Sequence, residues 1–359
     1  MNRLVLIDGN AVLHRAFHAI PPLTAPDGSV VNAVYGFATM LLRLYHDLNP
    51  TYMIVAFDRP KPTFRKKMYK KYQATRPKMD EALVGQIEKV HELVRAFGIP
   101  IFEKDGFEAD DVIGTLCKKA LGSVIPGLTR DPSSRQKLDS GSEAEMTIQK
   151  TGFRLGGRND NKNNIDQIII VTGDRDILQL VDETTYVYMP TKGLSEAKLY
   201  KDADVKERMG VAPKKIPDFK GLAGDASDNY PGVEGIGPKT AIALLERFGS
   251  VEGVYIALKK KDKRLKEVSS SVIKKLEAGK KDAALSKDLA TIRTTVDVTP
   301  TFDKPMTSLD TKEARKFFDH MHFHSLLKRL TNGGATVEMK KTKKSEKTKD
   351  TSGEQQQLF

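Results

Sequence analysis

The sequence has no tryptophan, a single cysteine and no long apolar segment. The one cysteine, Cys117, excludes an internal disulfide framework and a zinc site built from several cysteines. No run of about 18 apolar residues occurs, so we expect no membrane-spanning helix and no membrane partner. The N-terminal apolar stretch is too short for a signal peptide. For a chain of 359 residues these absences predict a cytoplasmic protein.

Negative charge is also in the minority, since 47 acidic residues stand against 59 Lys and Arg residues and give a net charge of +12. This excess indicates a polyanionic partner. The stretch 59–78 contains nine of the basic residues and no acid, and Phe64, Tyr69 and Tyr72 lie among them. Cations interleaved with aromatic rings are typical of single-strand nucleic-acid binding. A solvated basic helix is the alternative.

Apolar periodicity predicts an α/β fold with a mostly parallel central sheet, because short buried strands alternate with amphipathic helices. The predicted strands are 3–7, 52–57 and the start of 166–181; the predicted helices are 32–48, 81–98, 110–121 and the part of 166–181 that follows Gly173. We assign residues 1–205 to this domain, 206–331 to a helical domain and 332–359 to a disordered basic tail. Residues 122–164 lack a period and are predicted to be a disordered surface insertion.

Acidic residues gather where the predicted strands end and where one helix begins. They are Asp8, Asp58, Asp174 and Asp176 after strands, Glu108, Asp110 and Asp111 in the segment FEADD, and Asp225 and Asp228 in the segment GDASDN. The carboxyl ends of parallel strands meet at one edge of a sheet, so we expect these acids to converge. Dense carboxylates favour Mg²⁺ or Mn²⁺, and two such ions suit phosphodiester hydrolysis. Any one acid could instead be a turn residue or a helix cap.

A glycine-rich turn precedes a helix in the segment PGVEGIGPKTAIALLERFGS, residues 231–250. Its glycines allow the backbone to approach a phosphate closely, and the N-terminus of the following helix offers free N–H groups. Pro238 suits the first helical position, and Lys239 adds positive charge. The turn is therefore a candidate for gripping a nucleic-acid backbone, although many helix–turn–helix joints have a similar sequence.

Taken together, these motifs resemble the 5′-nuclease superfamily, which includes flap endonucleases and the 5′→3′ exonuclease domain of bacterial DNA polymerase I. The shared motifs are LIDGN, NAVYGF, FDRPKPTFR, FEADDVIGTL, VTGDRDILQLV and GDASDNYPGVEGIGPKTA, in that order. The resemblance implies a PIN-like or resolvase-like sheet domain followed by a helical duplex-binding domain. It also implies a stand-alone, monomeric nuclease that cuts DNA at 5′ flaps, nicks and RNA primers during replication and repair.

The resemblance further implies two metal positions for Mg²⁺ or Mn²⁺. The first is implied at Asp8, Asp58, Glu108 and Asp110, and the second at Asp174, Asp176 and Asp228, with Asp111 and Asp225 acting through water or in an outer shell. Residues 59–80 would form an arch that admits a 5′ single strand, with Arg76 on a phosphate. Gln73 replaces an arch lysine that the family usually has, which leaves Lys70, Lys71 or Lys78 as candidates to take its place.

The DNA-binding residues implied by the resemblance fall in the arch and in the glycine turn. They are Phe64, Arg65, Tyr72 and Gln73 in the arch, and Gly232, Val233, Gly235, Ile236, Gly237, Lys239 and Thr240 in the turn, where K⁺ is implied on the backbone carbonyls. The C-terminal QQQLF resembles a peptide that docks bacterial enzymes on the sliding clamp, through Gln355, Leu358 and Phe359. The alternative is a tail without a partner.

Two other functions are compatible with parts of this pattern. A PIN-like ribonuclease would share the sheet and a smaller set of acids, but it would not need the duplex-gripping turn or the arch. A catalytically silent protein that binds DNA ends would share the basic surface, but it would not need every acid of the cluster. The complete set of motifs therefore favours the nuclease.

Overall fold

The computed structural model describes residues 1–122, 165–192, 196–302 and 304–331. The predicted insertion, apart from its first residue, and the predicted tail lie outside these ranges, so nothing tests those two expectations. Among the described helices, none combines the length and the apolar character needed to cross a membrane.

A six-stranded sheet forms the centre of the described chain. The strands are β1 (Arg3–Asp8), β2 (Tyr52–Ala56), β3 (Ile101–Phe102), β4 (Gln167–Val171), β5 (Thr185–Lys192) and β6 (Glu196–Tyr200). Their order is β3-β2-β1-β4-β5-β6, and every pairing is parallel except that of β5 with β6. The mostly parallel sheet and its three apolar strands were predicted correctly. The sequence prediction missed β3, β5 and β6, which are short or carry mixed side chains.

Helices flank the sheet and continue after it. They are α1 (Gly9–Ala19), α2 (Asn32–Leu48), α3 (Phe64–Met68), α4 (Glu81–Val84), α5 (Ile87–Ala96), α6 (Ala109–Gly122), α7 (Asp202–Met209), α8 (Ile216–Ala223), α9 (Pro238–Phe248), α10 (Val251–Lys260), α11 (Ser270–Ala278), α12 (Lys280–Ala290), α13 (Lys312–His320) and α14 (His324–Thr331). The predicted helices 32–48 and 110–121 are confirmed as α2 and α6. The predicted helix after Gly173 is wrong in kind, because only a short 3₁₀ helix, Asp176–Leu180, forms before the chain enters β5.

The single helix predicted over 81–98 is wrong as well, because the chain breaks between α4 and α5. At the break, the fully buried Gln86 directs its side-chain oxygen toward the start of α2, while its amide nitrogen donates to the Ala82 carbonyl at 3.0 Å. Its Oε1 accepts hydrogen bonds from the N–H groups of Ala33 at 2.8 Å and Val34 at 3.3 Å. Those N–H groups have no partner within their own helix, so Gln86 satisfies donors that would otherwise be buried without one.

Both faces of the sheet are buried, and each faces its own apolar cluster. Along β1, Leu4 and Leu6 join one cluster with α6 and the helical region that contains α9. Val5 and Ile7 join the other cluster with α2, α5, α13 and α14. This alternation is the two-residue period of a strand with helices on both sides. The arrangement leaves the ends of the strands as the accessible edge of the sheet.

The glycine turn before α9 depends on two backbones in close contact. Gly232 has a φ of +62°, and a Cβ there would lie 2.1 Å from the nitrogen of Gly224. Helix α9 then begins with Pro238 at its first position, ends at Phe248 with Gly249 as its cap, and buries Ala241, Leu244, Leu245 and Phe248. The close backbone contact therefore fixes the path of the chain between α8 and α9.

We expect Gly232→Ala to destabilise the protein by more than about 3 kcal/mol, because the substitution adds both a backbone clash and a left-handed alanine. Gly237→Ala is the matched control, since Gly237 has a φ of −90° and open space around its Cα. The control should cost no more than about 1 kcal/mol. Thermal unfolding of both variants measures the difference, and equal effects would contradict the close-contact explanation.

Candidate metal centre

The predicted acids converge at the carboxyl edge of the sheet, beside the position where strand order reverses between β1 and β4. A cleft of ≈ 1010 Å³ opens there. Seven of the nine predicted acids line it, and these are Asp8, Asp58, Glu108, Asp110, Asp174, Asp176 and Asp228. The remaining two, Asp111 and Asp225, are not among the lining residues. The convergence therefore arises from separate strands and helix starts that share one edge.

Several of these acids also hold the local backbone in place. Asp8 Oδ1 caps α1 by accepting from the Ala11 N–H at 3.0 Å, and its Oδ2 accepts from the Thr172 hydroxyl at 2.7 Å. Asp58 Oδ1 accepts from the Ala109 N–H at the start of α6, at 2.7 Å. An acid can therefore cap a helix and belong to the cluster at the same time, because one of its oxygens accepts from a helix N–H while its carboxylate lines the cleft.

Asp111 has a different environment from its neighbours in the FEADD segment. It is fully buried, and Arg65, itself 3% exposed, holds it through two hydrogen bonds of 2.7 and 2.9 Å. The Arg65 guanidinium also contacts Glu108 Oε2 at 3.2 Å. In this arrangement Arg65 is committed to the two acids, and Asp111 lies one contact away from the cleft, so the predicted DNA contact of Arg65 and outer-shell position of Asp111 stay predictions. The two form a buried ion pair that positions Glu108.

A second group of acids comes together beside the first. One carboxylate oxygen from each of Asp176, Asp225 and Asp228 lies within 4.8 Å of the others. The Lys220 ammonium donates to both Asp176 Oδ1 and Asp225 Oδ2. The other oxygen of Asp225 accepts from the N–H and hydroxyl of Ser227. Lys220 is not recognisable as a site residue from the sequence, because a single lysine near the end of α8 carries no distinctive pattern.

The predicted arch is mostly not helical in this structure. After the short helix α3, the segment 69–76 runs through turns and packs against the loop 225–230. The Gln73 N–H donates to the Asp228 carbonyl at 2.8 Å, and the Asn229 amide donates to the Lys71 carbonyl at 2.7 Å. Arg76 Nη2 donates to Asp228 Oδ1 at 2.6 Å. The segment therefore lies over the second group of acids.

Within this segment, Tyr72 is buried and not free to stack on a base. Its hydroxyl donates to Glu108 Oε2 at 3.1 Å, and its ring stacks on Tyr230 with centroids 6.4 Å apart. Phe64 packs against Phe107 at 5.8 Å. The geometry in this state does not support the predicted role of Tyr72 in DNA binding. Lys70 and Lys71 remain exposed.

The glycine turn presents a mixed surface. Gly235, Gly237 and Lys239 are exposed and Thr240 is half-buried, whereas Gly232, Val233 and Ile236 are buried. The side chains of Val233 and Ile236 belong to the core cluster shared with the sheet. These two residues can therefore contribute only backbone groups to a ligand. The Gly235 carbonyl accepts from the Lys275 ammonium at 3.1 Å.

Burial and mutual repulsion favour the neutral forms of the first group of acids. Burial raises the pKa of Asp8 to about 7, against the hydrogen bond from Ala11 and with a further rise from the charge of Asp58. Burial and the charges of Asp174 and Asp8 raise the pKa of Asp110 well above its ordinary value. A cluster of this kind is costly when ionised, and divalent cations offset that cost.

Family models match both parts of the chain. The N-terminal resolvase-like domain of 5′-3′ exonucleases matches residues 3–132, and the C-terminal SAM fold of 5′-3′ exonucleases matches residues 211–315. A 5′-3′ exonuclease of Aquifex aeolicus is 35% identical over 298 residues, which cover 83% of this chain and 84% of that protein. These matches define a nuclease class. The chain belongs to the 5′-3′ exonuclease family.

Longer relatives match the same chain, and solved structures share its fold. DNA polymerase I of Bacillus subtilis is 36% identical over 338 residues, which are 94% of this chain and 33% of that protein. The chain thus spans about a third of the length of the polymerase relatives it matches. The fold is similar to that of the bacteriophage T5 flap endonuclease solved with DNA and metal ions, with a TM-score of 0.58 at 16% identity, covering 93% of this chain and 100% of that one.

We expect Asp110→Asn to have little effect on the stability of the metal-free protein below about pH 4 and to stabilise it increasingly as the pH rises above that value. Folding raises the pKa of this acid well above its ordinary value of 3.8, so the folded state binds more protons than the unfolded state between the two pKa values, and the contribution of Asp110 to stability is lost as the pH rises through that interval. Each kcal/mol gained should raise the midpoint by about 2–4 °C. The midpoint of thermal unfolding is measured in chelator over this pH range. The control is Asp297→Ala, which replaces an exposed acid.

If the thermal unfolding midpoint at high pH is the same for the parent protein and for Asp110→Asn, folding does not raise the pKa of Asp110. Added Mg²⁺ provides a second check. The metal should raise the midpoint of the parent protein at high pH, and it should raise that of the variant less, because the variant has lost one carboxylate.

Proposed function

We propose that the chain is a metal-dependent 5′→3′ exonuclease and flap endonuclease that acts on DNA with 5′ flaps, nicks or RNA primers. The observation that carries the proposal is the cleft in which seven carboxylates from separate elements converge under a basic segment. Membership of the 5′-3′ exonuclease family supports the same activity. Primer removal and DNA repair are the cellular processes in which such cuts are needed.

The donor chemistry of the cleft fits hard divalent cations. Carboxylate oxygens suit Mg²⁺ or Mn²⁺, and Asp176 and Asp228 each place an oxygen within 4.8 Å of the other, close enough to share one ion. We propose that Asp8, Asp58, Glu108 and Asp110 hold one ion, and that Asp174, Asp176 and Asp228 hold a second. Bound there, the two ions would activate water and neutralise charge on the leaving oxygen of a phosphodiester.

Asp111 and Asp225 act on the site through other residues in this proposal. Asp111 holds Arg65, which contacts Glu108, and the Glu108 N–H donates back to Asp111 Oδ2 at 3.1 Å. Asp225 holds Lys220, which contacts Asp176. These ion pairs fix the rotamers of the two acids that face the cleft.

Substrate binding follows from the charges at the mouth of the cleft. The side chain of Arg76 is half exposed, so a phosphate can compete with Asp228 for its guanidinium. Lys70 and Lys71 extend the positive charge along the same segment, where they would guide a 5′ single strand. At the other end of the site, the exposed backbone of Gly235 and Gly237, with Lys239, suits the phosphates of a duplex.

A K⁺ ion at the glycine turn belongs to the same proposal, since backbone carbonyls are its usual ligands there in the family. In the described structure the Lys275 ammonium donates to the Gly235 carbonyl. A bound K⁺ would therefore have to use other carbonyls of the turn or displace this contact.

The alternative functions are less well supported by particular features. The turn before α9 serves a duplex backbone, which a PIN-like ribonuclease acting on single strands would not require. A silent DNA-end-binding protein would have no reason to maintain carboxylates whose repulsion destabilises the metal-free fold. A preference for RNA hairpins over DNA flaps would favour the ribonuclease instead.

We expect the full chain to cut a labelled double-flap DNA near the junction in Mg²⁺ and not in chelator. Asp174→Ala should lower the rate by about 10²-fold or more, because it removes a proposed ligand at the centre of the cleft. Asp297→Ala, at a 91% exposed acid paired with Lys104, is the matched control and should cut normally. Tight binding with no cleavage by the parent protein would instead support the silent DNA-binding function.

We also propose that the C-terminal QQQLF docks on a sliding clamp. Replacing both Leu358 and Phe359 by Ala should abolish binding to the clamp, since these are the apolar residues of the peptide, and should leave flap cleavage unchanged. Replacing Thr348 and Thr351, which lie in the same tail, by Ala is the control. Surface plasmon resonance on immobilised clamp measures the binding, and equal affinity of all three proteins would contradict the proposal.

A further inference from the structure

Lys220 lies inside the acidic site as a buried cation. It belongs to the last turn of α8, and its side chain is 9% exposed. The ammonium bridges Asp176 and Asp225, two members of the compact trio that Asp228 completes. Separating a buried ammonium from its carboxylates leaves uncompensated charge and is costly, so another cation has to take its place.

Positive charge is distributed unequally over the two groups of acids. The trio has two cations, because Arg76 contacts Asp228 while Lys220 contacts the other two members. By contrast, the carboxylates of Asp8, Asp58 and Asp110 form no ion pair with any Lys or Arg of the described residues, and the first position has one basic contact, between Arg65 and Glu108. A divalent cation therefore meets one protein-borne cation among the four acids of the first position and two among the three acids of the trio.

We infer that Lys220 is an internal counter-cation that competes with the second divalent ion for Asp176, one of the acids proposed to hold that ion. The inference rests on the proposed function, because it concerns the ions that the nuclease would use. It assigns the two positions different affinities in the absence of DNA. The first ion binds the less compensated group, and the second binds weakly until Lys220 gives up its contact with Asp176.

The two partners of Lys220 have different roles in this exchange. Asp225 is anchored on its other side by Ser227, with hydrogen bonds of 2.8 and 2.5 Å, so it can keep the ammonium while the trio is rearranged. Asp176 lines the cleft, and its carboxylate can turn toward an ion there. The lysine stem is flexible and its ammonium has three donors, so it can lose one partner and keep the other.

The test is isothermal titration calorimetry of the metal-stripped full chain with Mn²⁺ and with Mg²⁺, without DNA. The parent protein should show one tight and one weak binding step. Lys220→Met keeps the length of the stem but removes the charge, so the weak step should tighten by about tenfold or more while the first step stays the same.

Lys287→Met is the matched control. Lys287 also bridges two acids, Asp218 and Glu252, at 2.6 Å each, but it lies outside the cleft. This variant should leave both binding steps unchanged. If Lys220→Met leaves the second step unchanged or weakens it, the counter-cation is overturned, whereas the absence of any binding by the parent protein would contradict the proposed function itself.

A second measurement uses the unmodified protein and so does not depend on the folding of a variant. A buried, ion-paired ammonium exchanges its protons slowly and gives a protected lysine side-chain signal in ¹⁵N-detected spectra. During a Mg²⁺ titration that signal should stay constant through the first equivalent and change with the second. A change at the first equivalent, or no change at saturation, would overturn the inference.

Discussion

The concentration of negative charge at one edge of the sheet is the constraint on which the rest of the structure depends. The carboxyl ends of parallel strands lie at the same edge of the sheet, and three of these strands have an acid at or just beyond that end. Buried acids at this density repel one another, and the metal-free fold tolerates them only where other groups offset the charge. Helix N-termini, hydroxyl groups and three basic side chains serve this purpose.

The three basic side chains also link the parts of the molecule. Arg65, from the segment after β2, holds Asp111 of α6 and donates to the carbonyl of Leu289 at the end of α12. Arg76 connects the arch to the loop after α8, and Lys220 connects α8 to the residues that follow β4. The contacts that neutralise the acids are therefore the same contacts that hold the sheet domain against the helical region. Loss of one cation would affect the site and the packing together.

Local sequence was enough to predict the strands that carry the acids, because a short apolar run ending in aspartate identifies both the strand and its edge. It was also enough for α9, where proline and glycine mark the two ends of the helix. It was not enough for Arg65, whose partner Asp111 is 46 residues away, so that a basic segment implied an exposed arginine. The break at Gln86 has the same cause, since the groups it satisfies lie 53 and 52 residues earlier. A contact between residues that lie far apart in the sequence leaves no local pattern from which it could be predicted.

Gln73 shows how the arch and the acids depend on each other. Its backbone has a φ of +52°, which an L-residue adopts only when its surroundings hold it there. The hydrogen bond from its N–H to the Asp228 carbonyl supplies that restraint, and its side-chain amide lies 3.1 Å from the Tyr72 hydroxyl. A lysine at this position would bring a further ammonium beside Asp228, which Arg76 already neutralises. The uncharged amide therefore suits an arch that rests on the acids, and the charge available for a phosphate at this point comes from Arg76.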